Sequence, residues 1–180
     1  MANQRLIRYL KQGGVIAYPT ESCFGLGCDP KNKRAVEKIL RLKKRARSKG
    51  FILISSKLNL LRKYIQEISE THKKELMTMW PGSHTWLVPS SDYCPPWLRG
   101  GTHNIAIRLP KVKSTLNLLN SINIPITSTS ANLSHKQSIK TIRACKNLFK
   151  NKIMIFEGNI GAEKKPTTIQ DFLSKKIIRK

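Results

Sequence analysis

Residues 122–132 read Ile-Asn-Ile-Pro-Ile-Thr-Ser-Thr-Ser-Ala-Asn, an apolar run that passes directly into hydroxyls. Ile122 to Ile126 reads as a buried strand, and the polar residues after it fall where open α/β sheets bind ligands, just beyond the carboxyl end of a strand. In extended chain Ser128, Ser130 and Asn132 project to one side at period two. Such a row of short donors suits a phosphate or a carboxylate, or closes an ordinary Ser/Thr turn.

Working outward, strand and helix signals interleave. Leu6, Ile7 and Leu10 sit at helical spacing before Gly13-Gly14, and Val15 to Tyr18 is a buried strand closed by Pro19. Thr20 to Cys28 is a glycine-bearing loop, Asp29-Pro30 reads as an N-cap followed by a proline at the first helical position, and Val36, Ile39 and Leu40 share that helix's inner face. Phe51 to Ile54 is a strand, with helical spacing over Leu58 to Ile65 and again over His72 to Met79. Beyond Trp80-Pro81-Gly82, strands are expected at Thr85–Val88, Ile105–Leu109, Ile153–Phe156, Thr167–Phe172 and Ile177–Arg179, and helices at Val112–Leu119 and Ser138–Phe149. No repeat or linker interrupts the series, so the class is α/β, expected as one domain over 1–180.

Composition sets the outer limits. The 180 residues carry 34 Lys plus Arg against 10 Asp plus Glu, a formal net charge of +24. With 39% hydrophobic residues, disorder throughout is excluded. No stretch approaches the roughly 20 apolar residues of a spanning helix, and the start Met1-Ala2-Asn3-Gln4-Arg5 has no signal-peptide core, so a cytoplasmic protein is expected with no membrane partner. Cys23, Cys28, Cys94 and Cys145 lack paired zinc spacing and read as reduced packing residues, and the four histidines suggest no metal. The charge attracts polyanions; it fits RNA proximity or the Lys- and Ile-rich drift of an A/T-rich genome, and alone names no function.

Familiar nucleotide signatures are missing. There is no Gly-x-x-x-x-Gly-Lys-[Ser/Thr], Gly25-x-Gly27 lacks the third glycine of a dinucleotide fingerprint, and no Gly-x-Ser-x-Gly elbow anchors a hydrolase triad. Two further polar clusters remain. Lys43 and Arg45 end a basic helix and converge only where it unwinds, giving a point charge and a planar fork for phosphate oxygens. Arg108 stands on an otherwise apolar strand and needs an anion if buried. With 10 acids in the chain, an external carboxylate is favoured over an internal salt bridge.

Together Tyr18 to Asp29, Leu42-Lys43-Lys44-Arg45, Trp80-Pro81-Gly82, Ile105 to Pro110 and Ser128 to Asn132 resemble the YrdC-like family, in order and from about residue 5 onward, in its short single-domain bacterial form. The resemblance implies a twisted mixed β-sheet flanked by helices with a basic concave cavity. It also implies an enzyme, a nucleotidyltransferase that joins L-threonine, bicarbonate and ATP into threonylcarbamoyl-AMP and releases pyrophosphate. Partner proteins then transfer the threonylcarbamoyl group to tRNA. By the family pattern Thr20, Arg108, Ser128 and Thr167 hold threonine. Lys43, Arg45, Arg47, Asn104, Ser130, Asn132 and Arg179 face ATP, with Lys43 and Arg45 as charge stabilisers and no covalent nucleophile. Mg²⁺ is expected with the ATP.

Three positions depart from the pattern: Ala46 for the proline after the basic pair, Ser83 for the proline after Trp-Pro-Gly, and His135 for the glycine after Asn-Leu-Ser. Ala46 leaves the helix free to run on past Arg45. Two other readings stand beside the synthase: a non-catalytic RNA-binding module with the same basic cavity, and the carbamoyl-transferring domain of hydrogenase maturation proteins, which expects neighbouring domains. Thin aromatic content, 7%, argues against base stacking.

Overall fold

A computed structural model describes residues 3–180. Its first half runs α1 (Gln4–Lys11), β1 (Ile16–Pro19), β2 (Phe24–Gly27), α2 (Lys33–Lys43), β3 (Ile52–Ile54) and α3 (Glu70–Thr78). The rest is β4 (His84–Pro89), α4 (Pro96–Arg99), β5 (Asn104–Arg108), α5 (Lys113–Ile122), β6 (Ile126–Ser130), α6 (Ile142–Phe149), β7 (Met154–Ile155), β8 (Thr168–Asp171) and β9 (Ile177–Arg179). The strands make one mixed sheet in the order β7-β1-β2-β6-β3-β5-β4-β8-β9. No helix among the described residues is long and apolar enough to cross a membrane.

Alternation along the strands divides the core between the two faces. On one face Ala17, Leu26, Leu53, Ile105 and Ile107 pack under Val36 and Ile39 of α2, Leu76 of α3 and Phe149 of α6. On the other, Ile16, Tyr18, Ile54 and Ile126 pack under Leu6 and Leu10 of α1 and Leu118 and Leu119 of α5. These two helices cover only part of their face. Beyond them, Gly25, Ile52, Leu87, Ala106 and Ser128 line an open hollow.

Several expected boundaries move, each for a local reason. Ile122 ends α5, Asn123 turns the chain at φ 50°, and the strand begins at Ile126. The hydroxyls therefore lie on β6 itself and not after it. There the backbone bonds to β2 on one side and β3 on the other, and the buried Thr127 Oγ1 is satisfied by accepting from Cys28 N at 3.0 Å. Within the expected loop, Phe24 to Gly27 forms β2, antiparallel to β1. Asp29 caps no helix: its Oδ1 accepts from Lys31 N at 2.9 Å, and Asn32 caps α2 through Ala35 N at 3.0 Å.

Leu58 to Tyr64 winds as a 3₁₀-helix, whose three residues per turn align Leu58, Leu61 and Tyr64 on the core. The expected helix from Ser138 starts at Ile142 with Thr141 as cap. Ala46 does not prolong α2. Lys44 closes it in the left-handed conformation, φ 50° and ψ 47°, and Ala46 is extended. The helix therefore unwinds after Lys43, the condition under which Lys43 and Arg45 were expected to converge, yet of the two only Arg45 reaches the hollow.

Two expectations about stability follow. A Cβ on Gly27 would lie 2.6 Å from Thr127 O, where β2 and β6 approach closely. Gly27→Ala is expected to lower stability by about 1–3 kcal/mol, read as a lower urea midpoint at constant m value; an unchanged midpoint refutes this. His84 is buried with Nε2 unbonded, and burial, against a smaller pull from Gln170, holds its pKa below 6.5. The unfolded chain therefore takes up protons first as pH drops, and stability falls from 6.5 toward the folded value. His84→Gln should flatten that loss in urea titrations across the same range.

Candidate functional site

The hollow encloses about 360 Å³ and draws its walls from both halves of the sheet. Arg45, Lys49, Arg99, Arg108 and Arg179 line it, and among the described residues no carboxylate or histidine does. Their fields reach one another: the Arg179 charge adds to burial in lowering the pKa of Arg45, and the Arg108 charge does the same to Arg179. Such a surface is complementary to an anion of several charges.

Thr20, Arg108, Ser128 and Thr167 are among the lining residues. Thr20 closes β1, and its Oγ1 donates to Cys23 O at 2.8 Å. Arg108 ends β5, 2% exposed, with Nε buried and unbonded. Against Gly25 packs Tyr18, whose hydroxyl is fully buried. A Cβ on Gly25 would come within 3.2 Å of that hydroxyl, so the glycine lets the floor sit directly over the phenol.

Arg45, also on the lining, bends back to donate to Gly50 O at 2.9 Å and Lys49 O at 3.2 Å. Arg179 from β9 grips Thr167, with Nη2 2.8 Å from its carbonyl and 3.0 Å from its Oγ1. Ser130 and Asn104 also face the space, and Asn104 Nδ2 reaches Asp171 Oδ2 at 3.4 Å.

Three expected nucleotide contacts lie elsewhere. Arg47 points to solvent, its side chain 79% exposed and paired with Glu37 at 3.3 Å. Lys43 is buried, 2% exposed, and does not line the hollow. Its Nζ donates to Ser130 O, to Asn132 O at 2.8 Å and to Asn132 Oδ1 at 3.0 Å, which uses all three ammonium hydrogens. Burial, aided by the Arg45 charge, pushes that ammonium down to about 8. Asn132 likewise turns inward, accepting from Ser130 Oγ at 2.6 Å and donating to Leu133 O and Lys136 O. Lys43 and Asn132 thus build the wall that presents Ser130.

Arg108 needs a correction too. Its Nη1 donates to Glu21 Oε2 in an ion pair buried on both sides. Scarcity of acids across the chain did not keep one from this site, since a single carboxylate suffices. Glu21 was not singled out in the sequence, because its partner is 87 positions away. Lys49, Arg99 and Ser138 are also on the walls; Lys49 ends a one-turn 3₁₀ segment, Arg99 ends the four-residue α4 and Ser138 lies in a loop, all too short or irregular for periodicity to mark them.

The described residues match the Sua5_yciO_yrdC family model, described as "Telomere recombination", over residues 8–180. A "Threonylcarbamoyl-AMP synthase" of Methylobacillus flagellatus is 43% identical over 179 residues, covering 99% of each chain. One of the same name from Thiobacillus denitrificans is 40% identical, covering 99% of this chain and 95% of that one. The crystal structure of P. abyssi Sua5 complexed with L-threonine superposes with a TM-score of 0.84 at 28% identity, covering 93% of this chain and 49% of that longer one.

Lys43→Met removes three hydrogen bonds, leaving Ser130 O with Asn132 N and Asn132 Oδ1 with Ser130 Oγ as remaining donors. It is expected to cost about 2–4 kcal/mol in urea unfolding and to displace Ser130, seen as a changed Ser130 amide shift; an unaltered shift and midpoint would refute the clamp.

Proposed function

The chain belongs to the Sua5/YciO/YrdC family, and we propose that it is a threonylcarbamoyl-AMP synthase, making that product and pyrophosphate from L-threonine, bicarbonate and ATP. The single observation that carries the reading is that Arg45, Arg108, Ser128, Ser130 and Arg179, from separate parts of the chain, meet in one anion-complementary hollow.

L-threonine is the amino-acid substrate. Its carboxylate lies against the side of the Arg108 guanidinium that Glu21 leaves free, with Thr20, Ser128 and Thr167 around its body. ATP lies toward Arg45, Arg179, Ser130 and Asn104. With no carboxylate in the lining among the described residues, Mg²⁺ enters as part of the MgATP substrate, held by phosphate oxygens and water.

The threonine amine combines with bicarbonate to give a carbamate and water. A carbamate oxygen then attacks the α-phosphorus, the bond to the β-phosphate oxygen breaks, and pyrophosphate departs with that electron pair. No enzyme nucleophile takes part. The side chains position two anions that would otherwise repel, and they offset the charge that builds on the departing phosphates. Carbamates and acyl phosphates hydrolyse readily, so the walls also serve by excluding water. The product is then passed, in the cytoplasm, to the proteins that modify tRNA.

A non-catalytic RNA-binding role fares worse, since these cations converge inside a hollow too small for a duplex, and the relatives carry an enzyme's name. Pyrophosphate release should require threonine and bicarbonate together with ATP; full release without threonine rejects the synthase. Arg108→Ala is expected to lose about tenfold or more in kcat/KM for threonine, and unchanged threonine kinetics would remove its assignment.

A further inference from the structure

Resting on the synthase reading, we infer that Glu21 is a positioning residue for threonine recognition: it fixes the Arg108 guanidinium so that one edge is spent within the protein and the other is left for the substrate. Glu21 is 1% exposed and does not line the hollow. Its two oxygens have separate tasks. Oε2 accepts from Arg108 Nη1, and Oε1 accepts from the backbone N–H of Lys111 at 3.2 Å, just past the end of β5.

The carboxylate is therefore pinned to the chain that carries the arginine. A guanidinium so held cannot swing about its long side chain, and its Nε stays buried without a protein partner. A guanidinium with one buried N–H unbonded and, among the described residues, its Nη2 without a protein partner is costly to hold, and a substrate carboxylate meeting that free side is the group that relieves it.

The same residue ties in another wall of the site. Glu21 O accepts from Glu163 N at 3.0 Å, and the neighbouring Thr20 O accepts from Gly161 N at 2.8 Å. A Cβ on Gly161 would lie 2.7 Å from Glu21 O, so this close approach needs the glycine. The segment held here leads to Thr167, which lines the hollow. Glu21 thus couples Arg108 and the segment leading to Thr167, and among the described residues it makes no hydrogen bond or ion pair with Arg45 or Ser130.

Charge adds a second effect. Arg108 is a cation among cations, and the buried carboxylate offsets it in part. Without that offset a guanidinium in this position faces Arg179 with nothing to hold it in place.

The test is steady-state kinetics of pyrophosphate release together with calorimetric titration of L-threonine into the intact protein. Glu21→Gln keeps the shape and removes the charge. It is expected to raise KM for threonine, and to weaken threonine binding, by about tenfold or more, with kcat at saturating threonine and KM for ATP within about threefold of the unmutated protein. A purely structural residue would instead lower the melting temperature and leave the ratio of the two KM values alone. Glu21→Asp covers the case in which the Gln variant fails to fold: it retains the charge but draws back one methylene, and should raise KM for threonine by about fivefold. Folded variants with an unaltered threonine KM would overturn the assignment. Unmutated protein that releases pyrophosphate without regard to threonine would overturn the synthase reading instead.

Discussion

A lysine ammonium withdrawn from water holds the site in shape. Lys43 sits at the last turn of α2 and reaches across to the end of β6, where its three hydrogens meet Ser130 and Asn132. Its own carbonyl accepts from Ser134 N at 2.8 Å, so one residue secures both limbs of the chain around Asn132. Desolvation opposes this arrangement, which is why the group's proton is held less tightly than on an ordinary lysine. The three bonds offset that cost only together, since a buried ammonium with an idle hydrogen is poorly tolerated. The end of α2 serves the same arrangement: Lys44 in the left-handed region turns the chain and sends Arg45 to the hollow while Lys43 goes inside.

Side chains from β5 and β6 were legible as site residues from the chain itself: Arg108 stands on an otherwise apolar strand and Ser128 in a dense run of hydroxyls, and both line the hollow. Thr20, read as the start of a loop, entered only through the family resemblance, and it lines the hollow too. Direction was less legible than identity. Lys43, Arg45 and Arg47 are alike in charge and nearly adjacent, yet one is inside the protein, one is at the hollow and one is in solvent. What separates them is the dihedral state of Lys44 and Ala46, which residue type does not specify. β2 was hidden for a related reason: Gly25 and Gly27 suggest a loop, whereas here they are strand residues whose missing Cβ atoms let Tyr18 and β6 come near.

Partnership across long separations was the least legible of all. A strand arginine announces that it needs an anion, and nothing local names which one. Glu21 answers half of that need and the hollow leaves the other half open, so the choice between an internal partner and an external one was not a real alternative. Arg108 has both edges, and the fold assigns them different work. The family likeness supplied the chemistry that the residues alone left general, because a cation-lined space identifies an anion without saying which.

The strand order has a consequence for how such a protein comes into being. β6 lies between β2 and β3, and β7 beside β1, so neighbours in the sheet are distant along the chain. Joining them demands closure of long loops before any pairing repays the lost entropy, a topology associated with slow folding. Thr20 and Thr167 cannot share a wall until those closures are complete. A partly folded intermediate therefore has no vessel for a reactive anhydride, and the first appearance of turnover in a refolding reaction marks the moment at which the last long-range strand has docked.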